Sequence, residues 1–353
     1  MRGDVVRLEQ LTHEIILAAD YEGFSLPEKI LWAYVYSWRQ EKIKQVWDEV
    51  RRRLGEAVEP ALGERALTDF LFAVTGEADP KNFAVLQHFI WQVKRKAFGL
   101  PVGHHMVPVF IGKTGGGKSI AVEHFLSPLE PLWTVGTLEI CGDKREHALF
   151  EDYLVVNMDE MEKADKADLQ ALKRVISSST LNQRIMKTNL HDHIRMRATL
   201  IGSSNESLDQ IIKDPTSNRR FYPIQCLPRE KAEPHFEFVK KGITYLHAYQ
   251  AIDPLKDTPA RPLLDEIRAV QEESRYKTDV EQWFADGWIG PDPDGFASNK
   301  EICQSYTKWC IETGVSEKYR RSMDGIGRIL SSIDGFKRTM RRKERGYTAT
   351  IFK

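Results

Sequence analysis

Residues 112–119 combine the residue types and the spacing that phosphate chemistry needs. They read Gly-Lys-Thr-Gly-Gly-Gly-Lys-Ser and match G-x-x-x-x-G-K-[ST], with an apolar segment before them and a helix-like segment after them. Glycines let successive backbone N–H groups turn toward one anion, and the helix N-terminus adds its positive dipole end. We therefore predict a Mg²⁺–ATP site rather than an inert glycine-rich turn. The residues predicted to bind are Gly112, Thr114, Gly115, Gly116, Gly117, Lys118 and Ser119.

Within that loop, Lys118 is expected to reach the β- and γ-phosphates, and the Ser119 hydroxyl is expected to hold Mg²⁺. Two adjacent carboxylates follow the next strongly apolar segment. Asp159 is predicted to hold Mg²⁺ through its water shell, because this ion keeps several waters in proteins. Glu160 is predicted to polarise the water that attacks the γ-phosphate, with Glu162 as the base if the register differs. The alternative is that these acidic residues only begin a helix.

Two further polar groups adjoin later apolar segments. Asn205 can bond both the γ-phosphate and the attacking water, unless it is only a turn residue. Arg219 and Arg220 enter a strand and can donate bidentate hydrogen bonds to a phosphate. Their position, about a hundred residues after the loop, fits an arginine finger that reaches the nucleotide of a neighbouring subunit. A structural ion pair is the alternative.

A parallel sheet would position these groups at one edge, because ligands of open α/β sheets bind beyond the carboxyl ends of the strands. Strand and helix signals alternate over residues 99–230, which predicts an α/β core with a five-stranded, mainly parallel sheet. The candidate strands are Met106–Ile111, Trp133–Ile140, Tyr153–Met158, Thr199–Ser203 and Phe221–Cys226.

Helical patterns precede this core. Leu26–Leu54 and Asn82–Phe98 carry apolar residues near 3.6-residue spacing, so residues 1–98 are predicted to be a helical module for packing or oligomerisation. Its tryptophans are predicted to lie in the core. They are Trp32, Trp38, Trp47 and Trp91. Residues 231–275 carry Pro254, Pro259 and Pro262 and a charged helix, and they are interpreted as a connector.

The composition indicates a soluble protein of the cytoplasm. Of 353 residues, 41% are hydrophobic, and 51 Lys and Arg balance 51 Asp and Glu. No apolar run reaches the length of about 18 residues that a transmembrane helix needs, and no signal peptide is evident. The balance hides a basic end, since residues 300–353 contain thirteen Lys or Arg against six Asp or Glu. This asymmetry favours a polyanion as partner, with a solvated basic face as the alternative.

These motifs, in this order and spacing, resemble the superfamily 3 helicases, which are AAA+ ATPases of small viruses, phages and mobile elements. Within them the chain is most similar to the virulence-associated E-like and the phage or plasmid primase-helicase proteins. The resemblance implies an AAA+ core in a homo-oligomeric, hexameric ring that hydrolyses ATP and translocates on single-stranded or forked DNA. It implies Walker A at Lys118 and Ser119, Walker B at Asp159 and Glu160, sensor 1 at Asn205, and the finger at Arg219 or Arg220.

The resemblance also implies a pore hairpin before sensor 1. Segments 183–187 and 193–197 alternate like two strands around a polar tip, and on this analogy Lys187 and His191 contact the DNA backbone. A surface hairpin without a pore role is the alternative. Residues 276–353 read as two helices and a basic hairpin, as in a winged-helix domain. Its candidate phosphate contacts are Arg338, Arg341, Arg342 and Lys343.

The function expected from this resemblance is an ATP-dependent DNA helicase in the replication of a phage or mobile element, located in the cytoplasm of a bacterial host. Residues 1–98 are too few and too helical for a primase domain, so a separate primase or another replication protein is a candidate partner. Two other classes stay open. One is an ATP-controlled DNA-binding initiator or regulator without unwinding activity, and the other is an AAA+ protein remodeller.

Overall fold

The computed structural model describes residues 8–24, 27–143, 146–161, 166–184, 191–214, 218–341 and 343–352. The chain forms two compact units, and the main boundary between them lies between Ser274 and Arg275. Lys213 and Asp214 group with the second unit. The fold is mixed α/β with a five-stranded parallel sheet, as predicted.

The sheet lies in the first unit, in the order β2-β3-β6-β1-β7. All its strand pairs are parallel. The five predicted strands are present, although the second ends early because Leu138–Cys141 forms a 3-10 helix. A separate antiparallel pair, β4 with β5, lies between β3 and β6 in the chain. The strands are β1 (Val107–Ile111), β2 (Trp133–Gly136), β3 (Val155–Met158), β4 (Thr180–Arg184), β5 (His191–Arg195), β6 (Thr199–Ser204) and β7 (Phe221–Gln225).

Helices cover both faces of this sheet. Successive strand residues point to opposite faces. Accordingly, Phe110 joins one hydrophobic cluster and Val109 joins the other. The first cluster includes residues of α2 to α5 and of α11, and the second includes residues of α7 and α8. The helices are α1 (Leu8–Tyr21), α2 (Glu28–Gly55), α3 (Pro60–Thr75), α4 (Pro80–Ala97), α5 (Lys118–Leu126), α6 (Leu149–Asp152), α7 (Lys166–Ser177), α8 (Leu208–Ile211), α9 (Arg229–Ala232), α10 (Phe236–Lys241), α11 (Tyr245–Gln250) and α12 (Leu264–Glu273).

Both predicted N-terminal helices are present as α2 and α4. Trp47 and Trp91 are buried as predicted, and Trp32 is half-buried. The prediction for Trp38 is wrong, because its side chain is 51% exposed. The physical reason is that α2 joins the cluster against the sheet only from Ile43 onward.

The segment interpreted as a connector contains α10, α11 and α12. These helices pack on the same core as the sheet. The rings of Tyr249 and Phe125 lie 5.7 Å apart, and the Gln271 amide donates a 3.1 Å hydrogen bond to the backbone carbonyl of Phe221. Residues up to Ser274 therefore belong to the unit that contains the sheet.

The second unit has its own hydrophobic core around Trp283, Tyr306 and Trp309. Capping boxes at Thr278 and Ser298 start its first two helices. Its strands form two small sheets, β10-β11-β9 and β12-β8. The elements are α13 (Asp279–Ala285), α14 (Asn299–Glu312), α15 (Met323–Leu330), β8 (Ile289–Pro291), β9 (Ala297–Ser298), β10 (Arg338–Arg341), β11 (Glu344–Tyr347) and β12 (Ala349–Ile351).

The C-terminal hairpin is tighter than predicted. Alternating residues at 336–340 and 347–352 predict two strands around a turn at 341–346, whereas in the structure Arg338 pairs with Tyr347 and Arg341 with Glu344. Lys343 adopts a φ of 71°, which permits a close turn between the two strands. The residues after Tyr347 form β12, which pairs with β8 instead. Among the described helices, none has the length and apolar character needed to cross a membrane.

Candidate functional site

The loop from Gly112 to Gly117 connects β1 to the start of α5. Its first N–H, at Gly112, donates a 3.2 Å hydrogen bond to the carbonyl of Ser204 at the end of β6. Gly115 and Gly117 have φ values of 83° and 79°, in the left-handed region that glycine adopts without strain. The glycine pattern therefore lets the chain turn sharply between the strand and Lys118, the first residue of α5.

The ammonium group of Lys118 lies in the mouth of this loop. The residue is only 8% exposed. Its Nζ donates to the carbonyls of Gly112 at 2.6 Å and Lys113 at 3.1 Å, and to Oδ1 of Asn205 at 3.0 Å. The same Asn205 oxygen accepts a 3.2 Å hydrogen bond from the Thr114 hydroxyl. All these acceptors are neutral, so an anion in the loop would compete with them for the ammonium group.

The two predicted acidic residues follow β3 at the same edge of the sheet. Met158 pairs with Gly202, which places Asp159 beside Ser203, and the Ser203 hydroxyl donates a hydrogen bond to the Asp159 carboxylate. Asp159 is half-buried and Glu160 is exposed. Glu160 has a φ of 52°, which is uncommon outside glycine and recurs at functional sites. Glu162, the other candidate base, lies outside the described residues.

One cavity of about 290 Å³ brings these groups together. The loop, the residues after β3 and the end of β6 supply most of its walls. Its lining residues are Thr114, Gly115, Gly117, Lys118, Ser119, Ile120, Asp159, Glu160, Ser203, Ser204, Asn205 and Phe236. The cavity therefore contains the predicted lysine, hydroxyl, carboxylates and amide, which come from three separate segments of the chain.

The donor set in this cavity fits Mg²⁺. Ser119 and Asp159 offer hard oxygen ligands. Mg²⁺ in nucleotide sites is usually held by one or two protein oxygens together with phosphates and waters. In the described part of the chain, no group of three or more His, Cys, Asp or Glu side chains could hold a metal by itself. A Mg²⁺ ion here would accordingly need the nucleotide as a further source of ligands.

Arg219 and Arg220 lie at the amino ends of the strands, the opposite end of the sheet from the cavity. They immediately precede β7, whose first residue Phe221 pairs with Val107 at the start of β1. The loop begins only after the end of β1. At about 3.3 Å per residue, the arginines are roughly 20 Å from the loop along the direction of the strands, which exceeds the length of an arginine side chain. The two arginines are therefore not brought to the cavity of their own chain.

Other basic side chains lie near these arginines. Arg219 is exposed, and Arg220 is half-buried and donates from Nε to the Ser177 hydroxyl at 3.1 Å. Burial and the neighbouring Arg219 lower the pKa of Arg220. Burial lowers the pKa of His105 to about 4, with Lys96, His104 and Arg220 adding to the effect. Arg219 and Arg220 destabilise each other's positive charge, so an approaching anion would be attracted to this end of the sheet.

The residues predicted to contact DNA fall on two parts of the structure. The hairpin before β6 is present as β4 and β5, and its strands begin two or three residues before the predicted segments. His191 is the first residue of β5 and pairs with Arg184, although the prediction placed it in the tip. Lys187 lies outside the described residues.

In the second unit, Arg338, Arg341 and Lys343 are exposed, and Arg342 lies outside the described residues. Two of the arginines also make internal contacts. Arg338 donates from Nε to the Tyr347 hydroxyl at 2.8 Å, and Arg341 donates to the backbone carbonyl of Asp294 at 2.9 Å. A cleft of about 410 Å³ lies between α15 and the strands β10 and β11. Arg345 lines this cleft and was not among the predicted contacts.

Sequence reasoning also missed residues of the first cavity. Ser203 and Ser204 are the last two residues of β6, directly before Asn205, so their position at the carboxyl end of a parallel strand could have identified them. Phe236 lies in α10, far along the chain, and carries no motif that would connect it to the loop. Only the packing of α10 brings its ring to the cavity.

The fold and the cavity define an α/β protein whose glycine-rich loop opens at the carboxyl edge of a parallel sheet. The chain belongs to the family of virulence-associated protein E-like domains, which matches residues 56–274, more than half of its length. No curated protein matches the chain.

Solved structures similar to the chain include the apo structure of the NrS-1 C-terminal region (305–718). It has 14% sequence identity, covers 84% of this chain and 77% of its own, and has a TM-score of 0.48. The A form apo structure of the same region has 15% identity, covers 83% of this chain and 76% of its own, and has a TM-score of 0.47.

Proposed function

We propose that this chain is an ATP-driven, ring-forming DNA helicase or translocase of the superfamily 3 AAA+ class, which acts in the replication of a phage or mobile element. The observation that carries this proposal is the convergence of Lys118, Asp159, Glu160 and Asn205 on one cavity beside a glycine-rich loop. A nucleoside triphosphate needs a cation for its phosphates, oxygen ligands for Mg²⁺ and a base for the attacking water. This cavity offers one candidate for each.

In this proposal, the Lys118 ammonium group leaves the carbonyls of Gly112 and Lys113 and binds the β- and γ-phosphates. The Ser203 hydroxyl holds the Asp159 carboxylate in one orientation, and Ser119 with Asp159 would hold Mg²⁺, which neutralises charge on the phosphates when bound. Glu160 accepts a proton from the attacking water. Asn205 lies within reach of both Lys118 and the site of the γ-phosphate, so its amide orients the water.

A ring explains the placement of Arg219 and Arg220. They lie at the amino ends of the strands, far from the cavity of their own chain, and a nearby anion would stabilise their positive charges. A second copy that presents its cavity to this end of the sheet would bring its γ-phosphate to these arginines. Oligomerisation would then be required for hydrolysis, as expected for an arginine finger supplied in trans. A closed ring, with six copies in the proposal, gives every cavity such a neighbour.

DNA binding in this proposal uses the β4–β5 hairpin and the second unit as a winged-helix-like module. The exposed cations of the second unit that face solvent include Lys337, Lys343 and Arg345. Contacts of Lys and Arg with phosphates give affinity that does not depend on base sequence. Such contacts suit a motor that moves along DNA.

An ATP-controlled DNA-binding initiator or regulator is the second candidate. It is favoured by the compactness of the second unit, which has its own core and could bind DNA without strand separation. An AAA+ protein remodeller would use the same cavity without DNA.

The test measures ATP hydrolysis with and without single-stranded DNA at low and moderate salt, on protein whose mass is measured by light scattering, followed by unwinding of a forked duplex. We expect a hexamer whose ATPase is stimulated by DNA and whose stimulation falls with salt. Lys118→Ala should abolish turnover and retain DNA binding. Stimulation without unwinding would favour the regulator, and a DNA-indifferent ATPase would contradict the helicase.

A further inference from the structure

Phe236 stands apart from the other residues of the cavity in the first unit. Its ring is half-buried and lies directly against the loop, so that a Cβ atom at Gly117 would come within 2.3 Å of the ring carbon Cε1. The ring is held there by α10, because Val239 of this helix is buried in the core and its carbonyl accepts a 2.7 Å hydrogen bond from the Tyr245 hydroxyl. Part of the ring surface remains open to the cavity.

The side chains that line the cavity fall into a polar group and an apolar group. The hydroxyl, ammonium, amide and carboxylate groups come from the loop and from the ends of β3 and β6, where the proposal places the phosphates and Mg²⁺. The two remaining side chains, Ile120 and Phe236, are apolar. A hydrophobic aromatic wall contacts the flat face of a nucleobase, whereas recognition of a particular base needs hydrogen bonds to its edge.

We propose that Phe236 is the base-stacking residue of this site, and that the site accepts nucleoside triphosphates with little discrimination between bases. Every base has a π-face, so stacking on an aromatic side chain is tolerant of base identity. Since neither Ile120 nor Phe236 offers a hydrogen-bonding side chain to a base, affinity for ATP, GTP, CTP and UTP should be similar. This inference rests on the proposed function, because it concerns the occupant of the same cavity.

The experiment measures the dissociation constants of the full chain for the four nucleoside triphosphates and for inorganic tripolyphosphate, each with Mg²⁺. The four nucleotides should agree within about tenfold and bind more tightly than tripolyphosphate. Phe236→Ala should weaken all four by about five- to hundredfold, the loss expected for one stacked base, and leave tripolyphosphate within about twofold.

Further variants separate stacking from packing. Phe236→Leu keeps an apolar side chain against Gly117 and removes the π-face, so it should lose affinity like Phe236→Ala, and Phe236→Trp should retain it. Phe238→Ala is the matched control, because Phe238 belongs to the same helix and packs on Gly242 without lining the cavity. Full affinity in Phe236→Leu, or a strong preference of the unaltered protein for one base, would overturn this inference and leave the proposed function standing. Failure to bind any triphosphate, tripolyphosphate included, would overturn the proposed function as well.

Discussion

The Nζ of Lys118 lies 3.0 Å from Oδ1 of Asn205, although the two residues are 87 positions apart in the chain. This contact joins the loop after β1 to the end of the neighbouring strand β6. Asn205 also accepts a hydrogen bond from Thr114. One amide oxygen thus bonds to both sides of the loop, and a phosphate that binds Lys118 would change the surroundings of Asn205 directly.

Asn205→Ala should lower kcat for ATP by about 10²- to 10³-fold, the usual loss when one preorganised donor is removed from a reacting centre. Affinity for ATP should change much less, because the loop N–H groups and Lys118 remain. The measurement is steady-state ATPase together with equilibrium ATP binding. A variant with the kcat of the unaltered protein would show that Asn205 is only a turn residue.

Ser203→Ala should raise the Mg²⁺ concentration needed for half-maximal ATPase by about 10- to 100-fold, because the hydroxyl orients the Asp159 carboxylate. Titration of the ATPase with Mg²⁺ measures this value. Ser204→Ala is the matched control. Its hydroxyl accepts a 2.9 Å hydrogen bond from the Glu206 N–H and lines the same cavity. An equal effect in both variants would argue against a role through Asp159.

Mixing two inactive variants should restore part of the ATPase rate. The Arg219→Ala, Arg220→Ala protein keeps an intact cavity, and the Glu160→Gln protein keeps intact arginines, so a mixed ring contains sites with both. The control mixes Lys118→Ala with Glu160→Gln, which both damage the cavity, and it should stay inactive. If mixed rings are confirmed by mass and no activity returns, the arginines do not act in trans.

The stability of the first unit should depend on pH through His88. This residue is fully buried, and its ring nitrogens contact the Thr258 hydroxyl at 2.5 Å and the carbonyl of His104 at 3.2 Å. Burial lowers the pKa of His88 to about 3, and the nearby His104 and His105 contribute. Between pH 6.5 and about 3, the unfolded chain therefore binds a proton at His88 that the folded chain does not. Stability should fall as the pH falls through this window.

His88→Gln removes this titration and can still hydrogen-bond. The dependence of the free energy of unfolding on pH should become shallower by up to about 1.4 kcal/mol per pH unit below pH 6.5. Urea unfolding at several pH values measures the slope. His13→Gln, at an exposed position of α1, should leave the slope unchanged. An unaltered slope in His88→Gln would contradict the burial of a neutral imidazole.

In the second unit, replacing Arg338 should lower thermal stability, whereas replacing Arg345 should not. Arg345→Ala should weaken DNA binding for all sequences and reduce the salt dependence by about one phosphate contact, without a change in Tm. Arg338→Ala should also lower stability by roughly 1 kcal/mol, because Arg338 bonds to Tyr347, whose hydroxyl in turn bonds to the Gly327 carbonyl. Thermal melts and binding titrations at two salt concentrations test this difference. Equal Tm values for the two variants would contradict it.

The parallel α/β core and most of the polar groups of its cavity could be predicted from the sequence. The reason is that these features depend on local patterns. Apolar segments of strand length predicted all five strands of the sheet. Polar residues directly after Met158 and Ser204 had to lie at the carboxyl edge, next to the loop, once the strands were parallel. The prediction of burial failed at Trp38. Its spacing fits the apolar face of a helix, but this part of α2 does not pack on the core.

Which side chains complete the cavity, and which end of the sheet carries the arginines, depends on packing between elements far apart in the chain. Phe236 reaches Gly117 because α10 packs beside α5, and the sequence between them contains no pattern that specifies this contact. Arg219 and Arg220 lie away from their own loop because β7 pairs in register with β1, so residues before β7 lie at the opposite end of the sheet from residues after β1. Register and helix packing arise from contacts between residues far apart in the chain, which single-sequence patterns do not specify.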